Sequence, residues 1–211
     1  MDSLAFRNEI ASLLRETPGV EFKGPGRGDD SYHSAKVIRA MLAMANRRDG
    51  GIVVVGVDEV AGNIVWSGLS DDQLRTWASD HLADRVAMYA DPSLDFDLQI
   101  HEHRSASIIV IEVAQFRDVP IVCKRKYEKQ GAKKPDVVLR EGAIYVRPRR
   151  KPESVECGTA ADLRDLLDLA TDKRLAEFVT RAEHAGLRVG RPQPGPSDLE
   201  LFIRQAGDAL Q

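Results

Sequence analysis

Four residues in the first third of the chain have types and spacing that could do chemistry. They are Glu16, Glu21, Lys23 and Asp58. Glu16 and Glu21 flank a Pro18-Gly19 turn, which can fold a helix end back beside the strand that follows. Asp58 closes an apolar run, so it should project from a strand end. Three carboxylates from a helix end and two strands would make an oxygen-only site suited to Mg2+ or Mn2+. Such a site can polarise a phosphodiester and activate a water. Spacing alone leaves the plainer reading open, with Glu16 on a helix surface and Asp58 capping a turn.

The elements that must position these groups are legible around them. Residues 3–15 carry an apolar stripe of Leu4, Ile10, Leu13 and Leu14, which predicts a helix. Residues 20–23 read as a short strand, and 24–30 as a glycine-rich loop. A second helix is predicted over 32–46 from Val37, Ile38, Met41, Leu42 and Ala45. After Gly50-Gly51, residues 52–57 are apolar throughout, the pattern of a central strand buried on both faces. Residues 63–66 should pair locally. Ser70-Asp71-Asp72-Gln73 has the form of a capping box, opening a helix with Leu74, Trp77, His81, Leu82, Val86 and Tyr89 inward.

Further strands are expected at 95–102, 107–113 and 119–122, and a hairpin from 137–139 and 143–147. Residues 148–152 mark a boundary between a first domain, 1–152, and a helical extension, 153–211. Helices are predicted there at 159–170, 172–186 and 197–209. The fold class is thus mixed α/β, a sheet flanked by helices with a C-terminal helical extension.

Composition narrows the function classes. The chain has 211 residues, 43% hydrophobic and 30% charged, as expected of a folded globular protein. No apolar run reaches the roughly 18 residues of a membrane helix, and the first residues lack a secretory layout, so a cytoplasmic location is expected. Cys123 and Cys157 are the only cysteines and suggest neither a disulfide framework nor a zinc cluster. The net charge of −3 hides an asymmetry: residues 117–151 hold 12 bases against 4 acids, the rest of the chain 18 against 29. An acidic protein with one basic segment points that segment at a polyanion, although a solvated loop is the plainer alternative. Its candidates for tracking a phosphate backbone are Lys124, Arg125, Lys126, Lys133, Lys134, Arg147, Arg149, Arg150 and Lys151.

Other motifs are weaker. The 24–28 loop lacks the terminal Gly-Lys-Ser/Thr of a P-loop, which disfavours a nucleotide-binding protein. His101 and His103 share a strand face with no further ligand beside them, and His81 reads as a core histidine.

Taken in order, Glu16 to Lys23 (Glu-Thr-Pro-Gly-Val-Glu-Phe-Lys), the 45–58 stretch Ala-Asn-Arg-Arg-Asp-Gly-Gly-Ile-Val-Val-Val-Gly-Val-Asp, and Leu-Arg-Glu-Gly-Ala-Ile-Tyr-Val-Arg at 139–147 resemble the Schlafen family through its AlbA-like domain. Residues 108–113, Phe116 and Pro120 fit between them. The resemblance covers about residues 10–150 and implies a mixed α/β domain that binds nucleic acid. It further implies a metal-dependent endoribonuclease acting on tRNA or similar structured RNA. Glu16, Glu21 and Asp58 would then hold Mg2+ or Mn2+, and Lys23 would hold the scissile phosphate. The runner-up is a non-catalytic DNA-binding module or regulator. Animal members have two related lobes forming a cradle; this chain has length for one, which predicts a homodimer.

Overall fold

The computed structural model describes residues 17–60, 63–103, 105–131, 135–148 and 153–187. The helix expected at 3–15 and that at 197–209 lie outside them. The chain divides into two compact units, Met1–Thr171 and Asp172–Gln211.

The first unit is organised by a four-stranded mixed sheet. Its strands are β1 (Val20–Lys23), β2 (Gly51–Val55), β7 (Ala106–Val113) and β6 (Phe96–His103), in that order across the sheet. β1 and β2 run parallel, with Glu21 opposite Val53 and Lys23 opposite Val55; the other pairings are antiparallel. A parallel pair needs a crossover, and helix α1 (Ser31–Ala45) supplies it. Asp30 caps this helix, its carboxylate accepting from the Tyr32 and His33 amides at 2.8 and 3.2 Å.

Helix α1 is more deeply buried than a single apolar stripe suggests. Ala40, Ala43 and Met44 are as inaccessible as Val37 and Met41. The reason is that α1 contacts β2 on one side and β10 (Asp136–Leu139) and β11 (Tyr145–Val146) on another. A helix covered on several sides must be apolar around most of its circumference. The main core therefore joins α1 to Val53, Val55, Ile109 and Ile111 below, and to Val138, Leu139, Tyr145 and Val146 above. The opposite sheet face carries a smaller cluster of Val20, Phe22, Val54, Ile108 and Val110, packed by Ile64 and Trp66. Those last two come from the hairpin of β3 (Asp58–Val60) and β4 (Asn63–Val65) and the residue that follows it.

Several expectations need correction. The capping box at Ser70 forms, but it opens only α2 (Asp71–Leu74); α3 (Ser79–Ala87) begins afresh. The break changes the helical phase, so Leu82 and Val86 are buried while His81 is exposed. The hairpin expected at 137–147 does not form. β10 pairs instead with β9 (Tyr127–Lys129), and β11 with β12 (Val155–Glu156). A short pair, β5 (Ala90–Asp91) with β8 (Val122–Cys123), completes the strands. The two helices expected at 159–170 and 172–186 are one, α4 (Ala160–His184). Leu166 and Leu169 of α4 join the first unit's core. In the second unit, α4 exposes Leu175 and Phe178 and buries Ala182.

Candidate nucleic-acid interface and polar site

Alternation along β1 separates its side chains. Val20 and Phe22 join the smaller cluster, while Glu21 and Lys23 turn to the α1 side with their partners Val53 and Val55. Glu21 is only 5% exposed, so its charge must be compensated. One carboxylate oxygen accepts from the Lys23 ammonium, the other from the Arg147 guanidinium and the Ser154 hydroxyl. Arg147 and Ser154 lie one step beyond the Val146–Val155 pair of β11 and β12, which is how the fold brings both to one carboxylate.

Arg147 does more than neutralise Glu21. Its Nε donates to the Pro18 carbonyl at 3.0 Å, and its Nη2 donates to the carbonyls of Thr17 and Val20 at 2.9 and 3.1 Å. The side chain is fully buried. Expected on sequence to track a phosphate backbone, Arg147 is instead an internal staple that fixes the turn entering β1.

Asp58 stands at the start of β3, not at the end of the central strand. Its Oδ2 accepts from the Ser67 hydroxyl at 2.7 Å. Its Oδ1 lies against Gly24, where an added Cβ would sit 2.4 Å away. Parallel pairing thus brings Asp58 to the end of the sheet where Lys23 emerges. Glu16 lies outside the described residues. Among the described residues, no three Asp, Glu, His or Cys side chains gather as a metal-ligand group. Both oxygens of Glu21 are already taken by two cations and a hydroxyl. A cation joining Glu21 and Asp58 would share the Glu21 carboxylate with Lys23, Arg147 and Ser154.

What adjoins Glu21 is a cavity of about 300 Å3, lined by Glu21, Lys23, Lys36, Arg39, Asp136, Val138, Glu153 and Ser154. Lys36 and Arg39 are basic residues that sequence reasoning passed over. The available signal was their spacing of three on a helix otherwise apolar there. Lys36 Nζ sits 4.1 Å from the centre of the Tyr32 ring, and Lys129 Nζ sits 4.2 Å from the same ring. The Tyr32 hydroxyl donates to Asp136 at 2.7 Å, and that bond raises the phenol above its ordinary pKa. Arg39 donates from Nη2 to the Ser154 carbonyl at 2.9 Å, with its guanidinium 5.1 Å from the Tyr145 ring centre.

Of the basic segment, Lys124, Arg125 and Lys126 are described and exposed, Lys126 pairing with Glu128. Lys133, Lys134, Arg149, Arg150 and Lys151 lie outside the described residues. The glycine-rich loop is packed into the molecule. The Gly28 amide donates to the Thr76 hydroxyl at 2.8 Å, and Trp77 Nε1 donates to the Gly26 carbonyl at 2.9 Å. A Cβ at Gly26 would meet the His33 imidazole at 2.5 Å, so glycine is what allows this approach. Burial holds His33 below its ordinary pKa, with Lys36 and Lys23 adding to the effect and Asp30 opposing it.

The family model described as Schlafen, AlbA_2 matches residues 16–155. No curated protein matches the chain. Among solved structures, the DIP2311 protein from Corynebacterium diphtheriae is 16% identical with a TM-score of 0.51. The match covers 77% of this chain and 27% of that one, so the chain spans about a quarter of that protein. The N-terminal domain of a RecG-related protein from Nitrosomonas europaea is 22% identical with a TM-score of 0.40, covering 55% of this chain and 74% of that one. The first of these likenesses extends to the fold alone.

Proposed function

Because the chain belongs to the Schlafen AlbA_2 family, we propose that it is a nucleic-acid-binding domain that grips folded RNA such as tRNA by its phosphate backbone. The observation that carries this reading is the cavity beside β1, where Lys23, Lys36 and Arg39 converge next to a carboxylate already neutralised by Arg147. The exposed Lys124, Arg125 and Lys126 would add sequence-independent attraction. Folded RNA is larger than one small domain can cover, so a homodimer would supply the wider channel; light scattering with and without RNA checks this. Fluorescence titration with labelled tRNA and with duplex DNA tests the main reading. Affinity for tRNA should fall steeply as salt rises. No binding of tRNA even at low salt would overturn the proposal, and preference for the duplex would replace RNA by DNA.

A second reading, metal-dependent cleavage of the bound RNA, is favoured by the placement of Asp58 against Gly24 at the end of the sheet from which Lys23 emerges. It requires Glu16, Glu21 and Asp58 to share one cation beside Lys23. Discrete products from total RNA with Mn2+ and none with EDTA would support it. Unchanged RNA in both would leave binding alone.

A further inference from the structure

We propose that Lys36 and Arg39 form a seat for one phosphodiester group of the bound backbone, in the cavity beside Glu21 and Lys23; this rests on the nucleic-acid-binding reading and deepens it. The two residues are three apart on α1 and both line that cavity. From Ser34 to Ala45 every residue of the helix but these two is buried, between the sheet and the β10–β11 layer, so the two cations are held on a packed element.

Arg39 is the more informative of the pair. Its guanidinium is oriented by the Ser154 carbonyl and the Tyr145 ring. Yet its Nε is buried and has no hydrogen-bond partner among the described residues. A buried donor without a partner costs free energy, which a small reorientation of the guanidinium toward an acceptor in the cavity would recover. A guanidinium presents its donors as a planar fork matched to two oxygens of a phosphate. Lys36 needs no such geometry. Its ammonium sits over the Tyr32 ring, and among the described residues it is in no ion pair with a carboxylate.

Of the three acids in the lining, Glu21 is offset by cations; Asp136 and Glu153 keep their charges, so the seat rests on the donors of Lys36 and Arg39 and not on net charge. Glu21 is committed to Lys23, Arg147 and Ser154, and Asp136 accepts from Tyr32. Glu153 is exposed at the rim. A space of about 300 Å3 takes one phosphate with some water. Its two cations assign the occupant as a phosphate group, taken either from a polynucleotide or free in solution.

The test uses the full chain in EDTA, so that cleavage plays no part. The Arg39 Nε–H resonance is followed while inorganic phosphate, or the dinucleotide UpU, is added. Both should move it saturably, and Lys36→Gln should weaken the response to both. A response to inorganic phosphate but not to UpU would overturn the assignment to a backbone phosphate. No saturable response to either, up to tens of millimolar, would overturn the seat altogether. In parallel, tRNA affinity is measured for Lys36→Gln, Arg39→Lys and Arg39→Gln. The Gln variants should each bind roughly ten-fold more weakly and flatten the salt slope by about 1. Arg39→Lys should keep the slope while losing affinity, because it keeps charge without the fork. Thermal melting identifies any variant that has lost its fold, and Lys36→Gln, at an exposed position, carries the test if Arg39→Gln does. Wild-type affinity and slope in both Gln variants would defeat the seat while leaving the binding reading intact. A wild-type chain that binds no tRNA but still shows the Arg39 response would do the reverse.

Discussion

Arg147 and the Lys124–Lys126 run belong to the same basic segment of the sequence, and the fold puts them to opposite uses. Arg147 is buried, bonded to a carboxylate and to three carbonyls of the 17–20 turn. Lys124, Arg125 and Lys126 stand in solvent, with one surface ion pair among them. The same charge is thus a structural staple at one place and an electrostatic surface at the other. Burial and partners decide which, and a count of bases along a segment sees neither.

The sharpest way to break this comparison is to remove the staple. Arg147→Ala leaves Glu21 buried with only Lys23 and Ser154, and takes the guanidinium from three carbonyls, of which those of Thr17 and Val20 keep each other's backbone amides. Breaking one partner of a buried pair costs about 3–5 kcal/mol. Urea denaturation should show a loss of that size, and Arg147→Lys should recover little of it because an ammonium cannot span the same acceptors. A loss below about 1 kcal/mol, the scale of surface pairs, would place Arg147 with the surface cations after all. The same network affects how cleavage experiments are read: Glu21→Ala removes the Glu21 carboxylate from a buried Arg147, so lost cleavage in that variant would not separate chemistry from folding. Asp58→Asn, at a half-buried position with one hydroxyl partner, is the cleaner probe.

Asn46 extends the comparison to a neutral side chain. Its amide donates to the Ile121 and Tyr145 carbonyls at 2.8 and 3.0 Å and accepts from the Ile121 amide at 2.7 Å. It thereby ties the end of α1 to the loop before β8 and to β11, and so helps hold Arg147 in place. Asn46→Ala should cost about 1–3 kcal/mol, visible as a lower urea midpoint. A wild-type midpoint would mean that water replaces all three bonds.

A smaller effect is expected from His33. Burial lowers its pKa, so the unfolded chain takes up the proton first as pH falls. Its contribution to stability is complete above the unfolded value of about 6.5 and declines below it, until the folded form also protonates. Denaturation midpoints of wild type should therefore fall below about pH 6.5 more steeply than those of His33→Gln. Parallel curves would mean that the imidazole beside Gly26 and Trp77 titrates as though free.

Much of the framework was legible because its signals are local. β1 is observed over the residues expected, α1 is displaced by one residue at each end, and the Ser70 capping box forms both of its bonds. What the sequence did not reveal depends on partners far along the chain. Short strands such as β10 and β11 announce extended backbone, yet nothing local says that β9 and β12, and not each other, will pair with them. The core reading of His81 failed because one helix became two, and a shift of phase reverses inside and outside. Glu21 and Lys23 were singled out by type and resemblance. Their commitment to Arg147 and Ser154 arises across more than a hundred residues, beyond any window of pattern.

The surface side of the comparison should show the smallest change in stability. Lys124→Ala, Arg125→Ala and Lys126→Ala combined remove three exposed cations and one exposed ion pair with Glu128. Cys123 Sγ donates to the Arg125 backbone carbonyl at 3.2 Å, a contact that the side-chain changes leave in place. The triple variant should therefore melt near wild type, within about 0.5 kcal/mol for each position. Its binding should change far more. If each cation releases roughly one counterion from the backbone, the slope of log affinity against log salt should flatten by about 2–3. The loss should be alike for tRNAs of different sequence, because phosphate contacts carry no sequence information. Stability and slope thus move in opposite patterns for the two regions: Arg147→Ala lowers the first, and the triple variant lowers the second. A triple variant with an unchanged slope would make this run a solvated loop and leave the cavity of Lys23, Lys36 and Arg39 as the phosphate-binding surface among the described residues.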